Sequence, residues 1–384
     1  MKHSSMVFAI SIALFIYFVF NFYYIKRSSQ ALYGLGVLRT MIICTLIAWA
    51  IAFPLCRILE IFFNNTLTHS LVFVGSLYLG FSFYAFLLTV LVDFIFLGNY
   101  IFHFFPKAFF ENPYKVVHIL WFTFAGIISI ALCVGCILAT HPRLRTLDFT
   151  IPKKNAKIDS LTIAMVSDIH YGSVLGTNFL TRIAVCIKQA HPDIILIAGD
   201  FFDQSVADAQ RGDIVRMLKN LSCPLGIFAI TGNHDYYSGL EKAVSILKEG
   251  GVSVLQDSAL SINGDFLLVG RKDLTAKRLG QGRKTLKGIL DNTDRNLPCI
   301  LMDHQPFHLD EAEMNNVDLQ LSGHSHHGQL FPLNLLYRWV YERSWGYIRK
   351  GKTQVFVSCG AGTWGPPIRT NSFSEVLRIK LTFR

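Results

Sequence analysis

Four long apolar stretches in the first 140 residues constrain the fold of this chain more than any other feature. A helix needs about 20 residues to cross a hydrocarbon core of about 30 Å. Of the 26 acidic residues, only Glu60, Asp93, Glu111 and Asp148 precede Ile151. Residues 1–145 are therefore predicted to form a bundle of about four transmembrane helices, with spans near Met6–Ile25, Met41–Leu59, Leu71–Leu97 and Val116–Thr140.

Loop charges predict the orientation of this bundle. With four spans, both termini lie on one side, and Lys and Arg are enriched on the cytoplasmic side. The side of the C-terminal region carries Lys2, Arg57, Arg143, Arg145, Lys153, Lys154 and Lys157, and the other side carries Lys26, Arg27, Arg39, Lys107 and Lys115. The eight cysteines show no disulfide framework, which favours a reducing compartment. We expect a multi-pass protein of the inner (cytoplasmic) membrane whose C-terminal domain faces the cytoplasm.

Residues 151–384 have the pattern of an α/β domain. Short apolar runs alternate with amphipathic stretches, which is typical of strands and helices packed on one another. Helices are predicted over Thr177–Ala190, Ala207–Asn220 and Leu240–Glu249. The predicted strands are the runs LTIAMVS, DIILIAG, LGIFAIT, FLLVG, PCILM, DLQLS, QVFVS and EVLRIKL.

Residues of the types that bind metals follow five of these strands. Sites of open α/β sheets lie beyond the carboxyl ends of the strands. Carboxylate, imidazole and amide oxygen ligands suit borderline divalent ions such as Mn²⁺, Fe²⁺ or Zn²⁺. In chain order the candidates are Asp168 and His170, then Asp200, then Asn233, His234 and Asp235, then His304, and finally His324, His326 and His327. The sequence therefore predicts a metal site at this edge of the domain.

The order D-x-H, G-D, G-N-H-D, H and G-H-x-H resembles the calcineurin-like metallophosphoesterase superfamily. The resemblance covers about the last 220 residues and implies an α/β/β/α sandwich with mixed sheets. It also implies hydrolysis of a phosphoester or pyrophosphate bond by metal-activated hydroxide. Carried over by motif, Asp168, His170 and His326 would hold one metal, Asn233, His304 and His324 a second, and Asp200 both. We expect two divalent ions, with Mn²⁺ favoured over Fe²⁺, Zn²⁺ or Mg²⁺.

Four further residues receive expected roles from this resemblance. His234 matches the family's non-ligand histidine, which stabilises phosphoryl charge or protonates the leaving group. Asp235 is expected to hold the tautomer of His234, or to cap a helix. His327 replaces a glycine that is usual in relatives, and it either faces solvent or touches substrate. Arg369 either contacts a phosphate or forms a surface ion pair.

Two segments point to a membrane-associated substrate. The first, Arg271–Lys287, is a basic patch suited to anionic head groups, or else a solvated basic helix. The second, Leu330–Tyr341, combines apolar residues with Trp and Tyr. It either rests on the lipid interface, lines an acyl pocket or is buried in the core.

These features predict lipids as partners and a lipid-linked phosphate as substrate. The resemblance suggests UDP-2,3-diacylglucosamine of lipid A synthesis, cleaved with release of UMP. The alternatives are a general phosphodiesterase or lipid phosphate phosphatase, and, in another class, a non-catalytic membrane scaffold. No nucleic acid is expected as partner, and the sequence identifies no protein partner.

Overall fold

The computed structural model describes residues 3–63, 65–106, 112–203 and 208–384, without the side chains of residues 3–7, 9, 10, 61, 113, 208 and 209. The chain divides into two compact units, Met1–Gly135 and Cys136–Arg384. Each unit has its own core, and each is described separately below.

Long helices make up the described part of the first unit. They are α1 (His3–Ala31), α2 (Gly36–Phe62), α3 (Thr66–Phe102) and α4 (Pro113–Thr140), of which α4 continues into the second unit. Gly36–Glu60, Thr66–Phe102 and Tyr114–Thr140 are long and apolar enough to cross a membrane. Three of the predicted membrane helices are therefore confirmed as candidates. The membrane crossing predicted for the first stretch, Met6–Ile25, stays a prediction, because the side chains at its start are not described. Lys2 and Lys107, which were used to predict the orientation, lie outside the described residues.

Hydrogen-bonded tyrosines connect α1, α2 and α3. The hydroxyls of Tyr24 and Tyr78 lie 2.8 Å apart. Tyr78 also lies within hydrogen-bond distance of Asn21 Oδ1, at 2.7 Å, and of the Leu46 carbonyl, at 3.1 Å. Polar contacts of this kind hold helices together in lipid, where apolar side chains gain little by leaving the solvent.

The second unit contains two six-stranded mixed sheets. Their orders are β1-β12-β2-β3-β4-β5 and β10-β11-β9-β8-β7-β6. The strands are β1 (Arg143–Ile151), β2 (Ser160–Val166), β3 (Ile194–Ala198), β4 (Ile227–Ile230), β5 (Val252–Val254), β6 (Ser258–Ile262), β7 (Phe266–Gly270), β8 (Cys299–Met302), β9 (Leu319–Ser322), β10 (Gly346–Lys350), β11 (Thr353–Val357) and β12 (Glu375–Phe383). The helices are α5 (Thr177–Gln189), α6 (Asp208–Lys219), α7 (Asn233–Tyr237), α8 (Leu240–Glu249), α9 (Leu274–Arg278), α10 (Leu286–Leu290), α11 (Leu309–Met314) and α12 (Leu333–Val340).

The core of this unit is layered because strand side chains alternate between the two faces of a sheet. Ile163 and Met165 of β2 pack between the sheets, against residues of β8, β9 and β11. Ala164 and Val166 of the same strand face the cluster formed with α5, α6 and α8. A third cluster joins β7 and β8 to α10. These layers confirm the predicted α/β fold with mixed sheets.

All eight predicted strands are present, and the four that the sequence did not predict are the sheet edges. These are β1, β5, β6 and β10. Strands β1, β5 and β6 bury only one or two residues each and β10 buries none, so their apolar patterns are weak. Strand β1 precedes the predicted start of the domain at Ile151 and pairs in parallel with β12.

The last turn of α4 belongs to the second unit and is bonded to it. Arg182 Nη1 on α5 donates to the Thr140 carbonyl at 2.8 Å. The Ser374 amide donates to the Leu138 carbonyl at 2.9 Å. The end of a candidate membrane helix is thus fixed to the α/β fold.

Candidate metal centre

The carboxyl ends of five strands from both sheets bring the candidate ligands together. Strands β2, β3 and β4 run in parallel in one sheet, and β8 and β9 run in parallel in the other. Each delivers its polar residues into the loop that follows it. These residues are Asp168 and His170, Asp200, Asn233, His304, and His324 and His326.

Strained backbone marks these loops. Asp168, His170, Asp200, His324 and His326 all have φ between +47° and +72°. A non-glycine residue in this left-handed region costs about 1–2 kcal/mol. Such strain persists where surrounding contacts impose it, which is characteristic of functional sites.

Asp168, His170 and His326 form the first group of candidate ligands. One ligand atom from each lies within 4.8 Å of the other two. His170 Nε2 is 3.0 Å from His326 Nε2, and His326 Nε2 is 3.4 Å from Asp168 Oδ1. All three side chains are buried. Their ligand atoms therefore converge on one point inside the protein.

Asp200, His304 and His324 form the second group. His304 Nε2 lies 3.1 Å from Asp200 Oδ2, and the same oxygen lies 3.8 Å from His170 Nε2 of the first group. Asp200 Oδ2 is thus the atom that faces both groups. Its other oxygen, Oδ1, accepts from the His234 amide at 2.7 Å, which fixes the carboxylate.

Two buried polar atoms favour a cation here. Asn233 Oδ1 finds no hydrogen-bond partner among the described residues, and the same holds for His304 Nε2 apart from its approach to Asp200 Oδ2 at 3.1 Å. Burial opposes protonation of His304, but Asp200 and Asp168 raise its pKa, and a bound ion would replace the Nε2 proton while Nδ1 stays 2.8 Å from the Ala198 carbonyl. Buried polar atoms without partners are costly, and a metal ion would satisfy both. The donor set fits the two-metal centre expected from the sequence.

The site keeps two of its histidines neutral, as metal binding requires. Burial and the charge of His304 lower the pKa of His324 to about 4. Burial, His170 and Arg369 hold the pKa of His326 well below its usual value.

A residue that the sequence reasoning missed, Asp203, joins the site. Its Oδ1 lies 3.3 Å from His170 Nδ1 and 3.2 Å from His234 Nδ1. The loops after β2 and β3 stay paired beyond their strands: the His170 amide donates to the Asp200 carbonyl and the Asp203 amide to the Tyr171 carbonyl. This pairing places Asp203 beneath both rings. The available signal was an acidic residue three positions after Asp200.

Asp203 sets the charge of His234. Burial opposes protonation, but the hydrogen bond with Asp203 and the charges of Asp200 and Asp203 raise the pKa of His234 to about 9. Burial of Asp203 is likewise outweighed by its two histidine partners, which lower its pKa. Bound cations nearby would counter the rise at His234 by repulsion.

Replacing Asp203 by Asn should lower kcat for phosphodiester hydrolysis about 10- to 100-fold, as is usual for residues that orient metal ligands. The amide keeps the shape but loses the charge that holds both rings. Titration of activity with Mn²⁺ should show weaker metal binding as well. The matched control is Asp213→Asn, an exposed carboxylate on α6 that pairs with Arg216. Unchanged kcat and metal affinity in Asp203→Asn would contradict this positioning role.

Of the two roles expected for Asp235, the structure shows the helix cap and not the contact with His234. Asp235 Oδ2 accepts from the Gly232 amide at 2.8 Å, and Oδ1 accepts from the Phe202 amide at 3.0 Å. The carboxylate caps α7 and ties it to the loop after β3, so its oxygens are turned away from the ring. Burial and the charge of Asp200 raise the pKa of Asp235 to about 7. Asp203 makes the contact with His234 instead.

Replacing Asp235 by Ala should destabilise the second unit by about 2 kcal/mol or more, because two buried amides lose their acceptor. For a unit of this size the melting temperature should fall about 4–8 °C. Differential scanning fluorimetry in detergent measures this shift. Asp159→Ala, an exposed carboxylate paired with Lys153, is the matched control and should leave the melting temperature unchanged. An equal shift in both variants would exclude the capping role.

Arg369 neither forms a surface ion pair nor is free to contact a phosphate, the two roles expected from the sequence. It is fully buried, and Nη2 donates to the carbonyls of Gly360, at 3.0 Å, and Gly362. Nη1 donates to Ser372 Oγ at 2.9 Å. The guanidinium lies behind the site, with Nη2 3.3 Å from His326 Nδ1. It therefore shapes the loop after β11 and has no free face for a phosphate.

His327 is half-buried beside the site. Its Nδ1 lies 3.0 Å from Ser344 Oγ, and its ring lies 5.2 Å from the Trp345 ring. The φ of His327 is +52°, a left-handed conformation that glycine adopts at lower cost than histidine.

The two segments assigned to a membrane surface behave differently. Within the basic segment, Arg271 and Arg283 are used internally, because both pair with the buried Asp303. Lys277, Arg278, Lys284 and Lys287 remain exposed. In the other segment every residue of α12 is at least partly exposed, which excludes burial in the core.

Two neighbouring groups of carboxylates and imidazoles, with His234 and Asp203 beside them, form a candidate site for two metal ions. Comparison with known proteins agrees. The calcineurin-like phosphoesterase family matches residues 161–328. An uncharacterized metallophosphoesterase of Aquifex aeolicus is 34% identical over 243 residues, 62% of this chain and 92% of that protein. The chain belongs to the calcineurin-like phosphoesterase family.

Two further proteins are also similar. An uncharacterized metallophosphoesterase of Helicobacter pylori strain J99 is 34% identical over 228 residues, 59% of this chain and 61% of that protein. A protein of Danio rerio named transmembrane protein with metallophosphoesterase domain is 31% identical over 273 residues, 66% of this chain and 62% of that protein. The matched region therefore spans about three-fifths of these two relatives.

Proposed function

We propose that this protein is a membrane-anchored phosphoesterase that uses two divalent ions, Mn²⁺ first among them, to hydrolyse a lipid-linked phosphate or pyrophosphate. Asp168, His170 and His326 would hold one ion, and Asn233, His304 and His324 the other, with Asp200 between them. The ions would activate water and neutralise the phosphoryl oxygens. The chain's own His234 would donate a proton or stabilise charge on the phosphoryl group.

The observation that carries the lipid substrate is the exposed apolar surface of α12 and the residue before its first turn. This α12 patch consists of Phe331, Leu335, Leu336, Trp339 and Val340, of which Trp339 is 87% exposed. A contiguous apolar surface on a soluble face marks a binding or membrane-contacting site. Amphipathic helices carrying Trp and Leu bind the lipid interface in this way.

The α12 patch lies next to the metal ligands. Tyr341, directly after α12, has its ring 6.2 Å from the His324 ring and 4.8 Å from the Phe307 ring. A lipid held by the α12 patch would present its head group near the second ligand group. The last turn of α4 is bonded within the second unit, and a membrane-spanning α4 would tether that unit to the bilayer. We further propose that the catalytic unit faces the cytoplasm at the inner membrane.

UDP-2,3-diacylglucosamine is the specific substrate that we propose. The first test is UMP release by detergent-purified protein with added Mn²⁺. UMP formed by wild type and absent with an inactive Asp200 variant would support this substrate. Cleavage of bis-p-nitrophenyl phosphate without any UMP would retain the phosphoesterase and overturn the substrate. Failure to cleave either compound with metal loaded would favour the non-catalytic scaffold.

Replacing Leu336 and Trp339 together by Asn should lower kcat/KM for the lipid substrate about 10²- to 10⁴-fold, since each apolar side chain buried by the lipid contributes about 1.5–3 kcal/mol. Hydrolysis of bis-p-nitrophenyl phosphate should be unchanged, because it needs no apolar contact. Leu260→Asn with Met314→Asn, two exposed apolar residues on β6 and α11, is the matched control. A similar loss on both substrates would show damage to the site and would contradict a lipid-binding patch.

A further inference from the structure

The first unit contains a cavity of about 310 Å³ between α1, α3 and α4. Sites for small molecules begin at about this size. The lining of α3 runs from Phe81 to Phe96, a length of about 22 Å at 1.5 Å per residue. The cavity is therefore elongated along the helices, and none of its lining residues belongs to the metal centre.

One end of the cavity is polar and the rest is apolar. At the polar end, Arg27 Nε donates to Asp93 Oδ2 at 3.0 Å, and Arg27 Nη1 donates to Gln30 Oε1 at 2.9 Å. Tyr23 also donates to Asp93. Away from this end the walls are formed by Phe81, Ala85, Leu88, Phe124 and Ile128. An elongated cavity of this kind suits an amphiphile with a polar head and an apolar chain.

The charges at the polar end favour an anionic head group. Lys26, Arg27, Arg39 and Lys115 all lie in this part of the bundle. The helix ends that surround the polar end are residues 23–39, 89–106 and 112–118, which the structure describes apart from one side chain. Among these residues Asp93 is the only acidic one. Arg27 Nη2 also donates to Asp93, so the ion pair is bidentate, and the Arg27 side chain is still 43% exposed beside it. An excess of cations in a membrane protein attracts anionic lipids.

Helix α4 meets α1 through few polar contacts at this end. Trp121 Nε1 donates to Ser28 Oγ at 2.9 Å, and His118 Nε2 lies 3.0 Å from the Tyr33 carbonyl. Beyond them the cavity separates α4 from α3. An acyl chain in this gap would supply the contacts that the protein side chains do not make.

We propose that this cavity binds one anionic glycerophospholipid, with its phosphate at Arg27 and one acyl chain between α3 and α4. Arginine suits this role because its planar guanidinium forms paired hydrogen bonds with phosphate oxygens. Asp93 competes with the phosphate for Arg27. The bound lipid joins α4 to the rest of the bundle and stabilises it by mass action.

The test is lipid titration of the full chain in detergent, with bound lipid counted by native mass spectrometry. The probes are dioleoyl phosphatidylglycerol and dioleoyl phosphatidylcholine, which share their chains and differ in net charge. Wild type should bind one phosphatidylglycerol about tenfold more tightly than phosphatidylcholine, because both lipids offer the phosphate but only the choline cation of phosphatidylcholine is repelled by the cations around Arg27. Equal affinity for the two lipids would overturn the proposal.

Two substitutions of the ion pair should act in opposite directions. Arg27→Gln should remove the preference for phosphatidylglycerol, whereas Asp93→Asn should strengthen binding because the competing carboxylate is lost. If both variants weaken binding alike, the pair is only a structural contact and the proposal fails. Size-exclusion elution checks that each variant is folded.

Filling the cavity gives an independent measurement. Ala125→Trp on α4 places a large side chain in the cavity lining and should abolish binding of the single phosphatidylglycerol. Ile127→Trp, two residues further on an exposed face of α4, is the matched control and should leave binding unchanged. Retained binding in Ala125→Trp would overturn this location for the lipid.

Discussion

Replacing Asp200 by Asn should abolish phosphodiester hydrolysis, with kcat falling by about 10³-fold or more, since the electrostatic contribution of a two-metal centre depends on this group. Asp200 Oδ2 faces His304 of one ligand group and His170 of the other. The substitution preserves size and the hydrogen bond from the His234 amide but removes the negative charge. Without that charge, two cations at close range repel each other unscreened.

Hydrolysis of bis-p-nitrophenyl phosphate and metal content by elemental analysis measure this effect together. We expect the purified variant to hold fewer than two ions per chain. Asp213→Asn on α6 removes a charge from an exposed position of the same unit and should change neither quantity. An Asp200→Asn protein that keeps two ions and more than a tenth of the activity would refute the central position of Asp200.

Replacing His234 by Asn should lower kcat about 10²- to 10⁴-fold, the usual range for loss of a proton donor. His170, Asp203 and His234 form a third group of converging side chains, but His234 lies outside the two groups proposed to hold the ions, and its Nδ1 is 3.2 Å from Asp203 Oδ1. The metal content of the variant should therefore equal that of wild type. This combination of lost turnover with retained metal distinguishes His234 from Asp200.

The leaving group separates the two roles open to His234. A p-nitrophenolate leaves without protonation, whereas an alkoxide requires a proton. If His234 is a general acid, the loss in kcat will be much larger for an alkyl phosphodiester than for bis-p-nitrophenyl phosphate. Equal losses on both substrates would show that His234 stabilises charge on the phosphoryl oxygens. Unchanged kcat on both would remove His234 from the chemistry.

The central strands and the ligand positions could be predicted from the sequence because their signals are local. Strands such as β3 are buried on both faces and appear as continuous apolar runs. Each ligand then follows its strand directly, as Asp200 follows β3. Parallel strands bring such residues to one edge whatever the remaining topology.

The edge strands could not be predicted for the converse reason. Strand β10 has no fully buried residue, and β1 has two. Their pairing depends on partners far along the chain, such as β12 for β1. Such strands are held mainly by backbone hydrogen bonds, so the local pattern of apolar residues does not predict them.

Several side-chain roles also depended on contacts between distant segments. Asp203 and Asp235 both follow ligand motifs, but only the pairing of the loops after β2 and β3 placed Asp203 against His234 and turned Asp235 toward backbone amides. Arg369 is of a residue type that often binds phosphate, but its guanidinium is buried and donates to two backbone carbonyls and one hydroxyl.

The sequence by itself determined the membrane-helix composition of the first unit, the interior strands and the residue types of the metal centre. The tertiary structure alone decided the sheet edges, the partner of His234 and the exposure of α12. The division has one physical cause. Strands buried on both faces and metal-binding residue types can be recognised from neighbouring residues. Hydrogen-bond partners and the direction of an amphipathic face depend on segments that meet only in the folded chain.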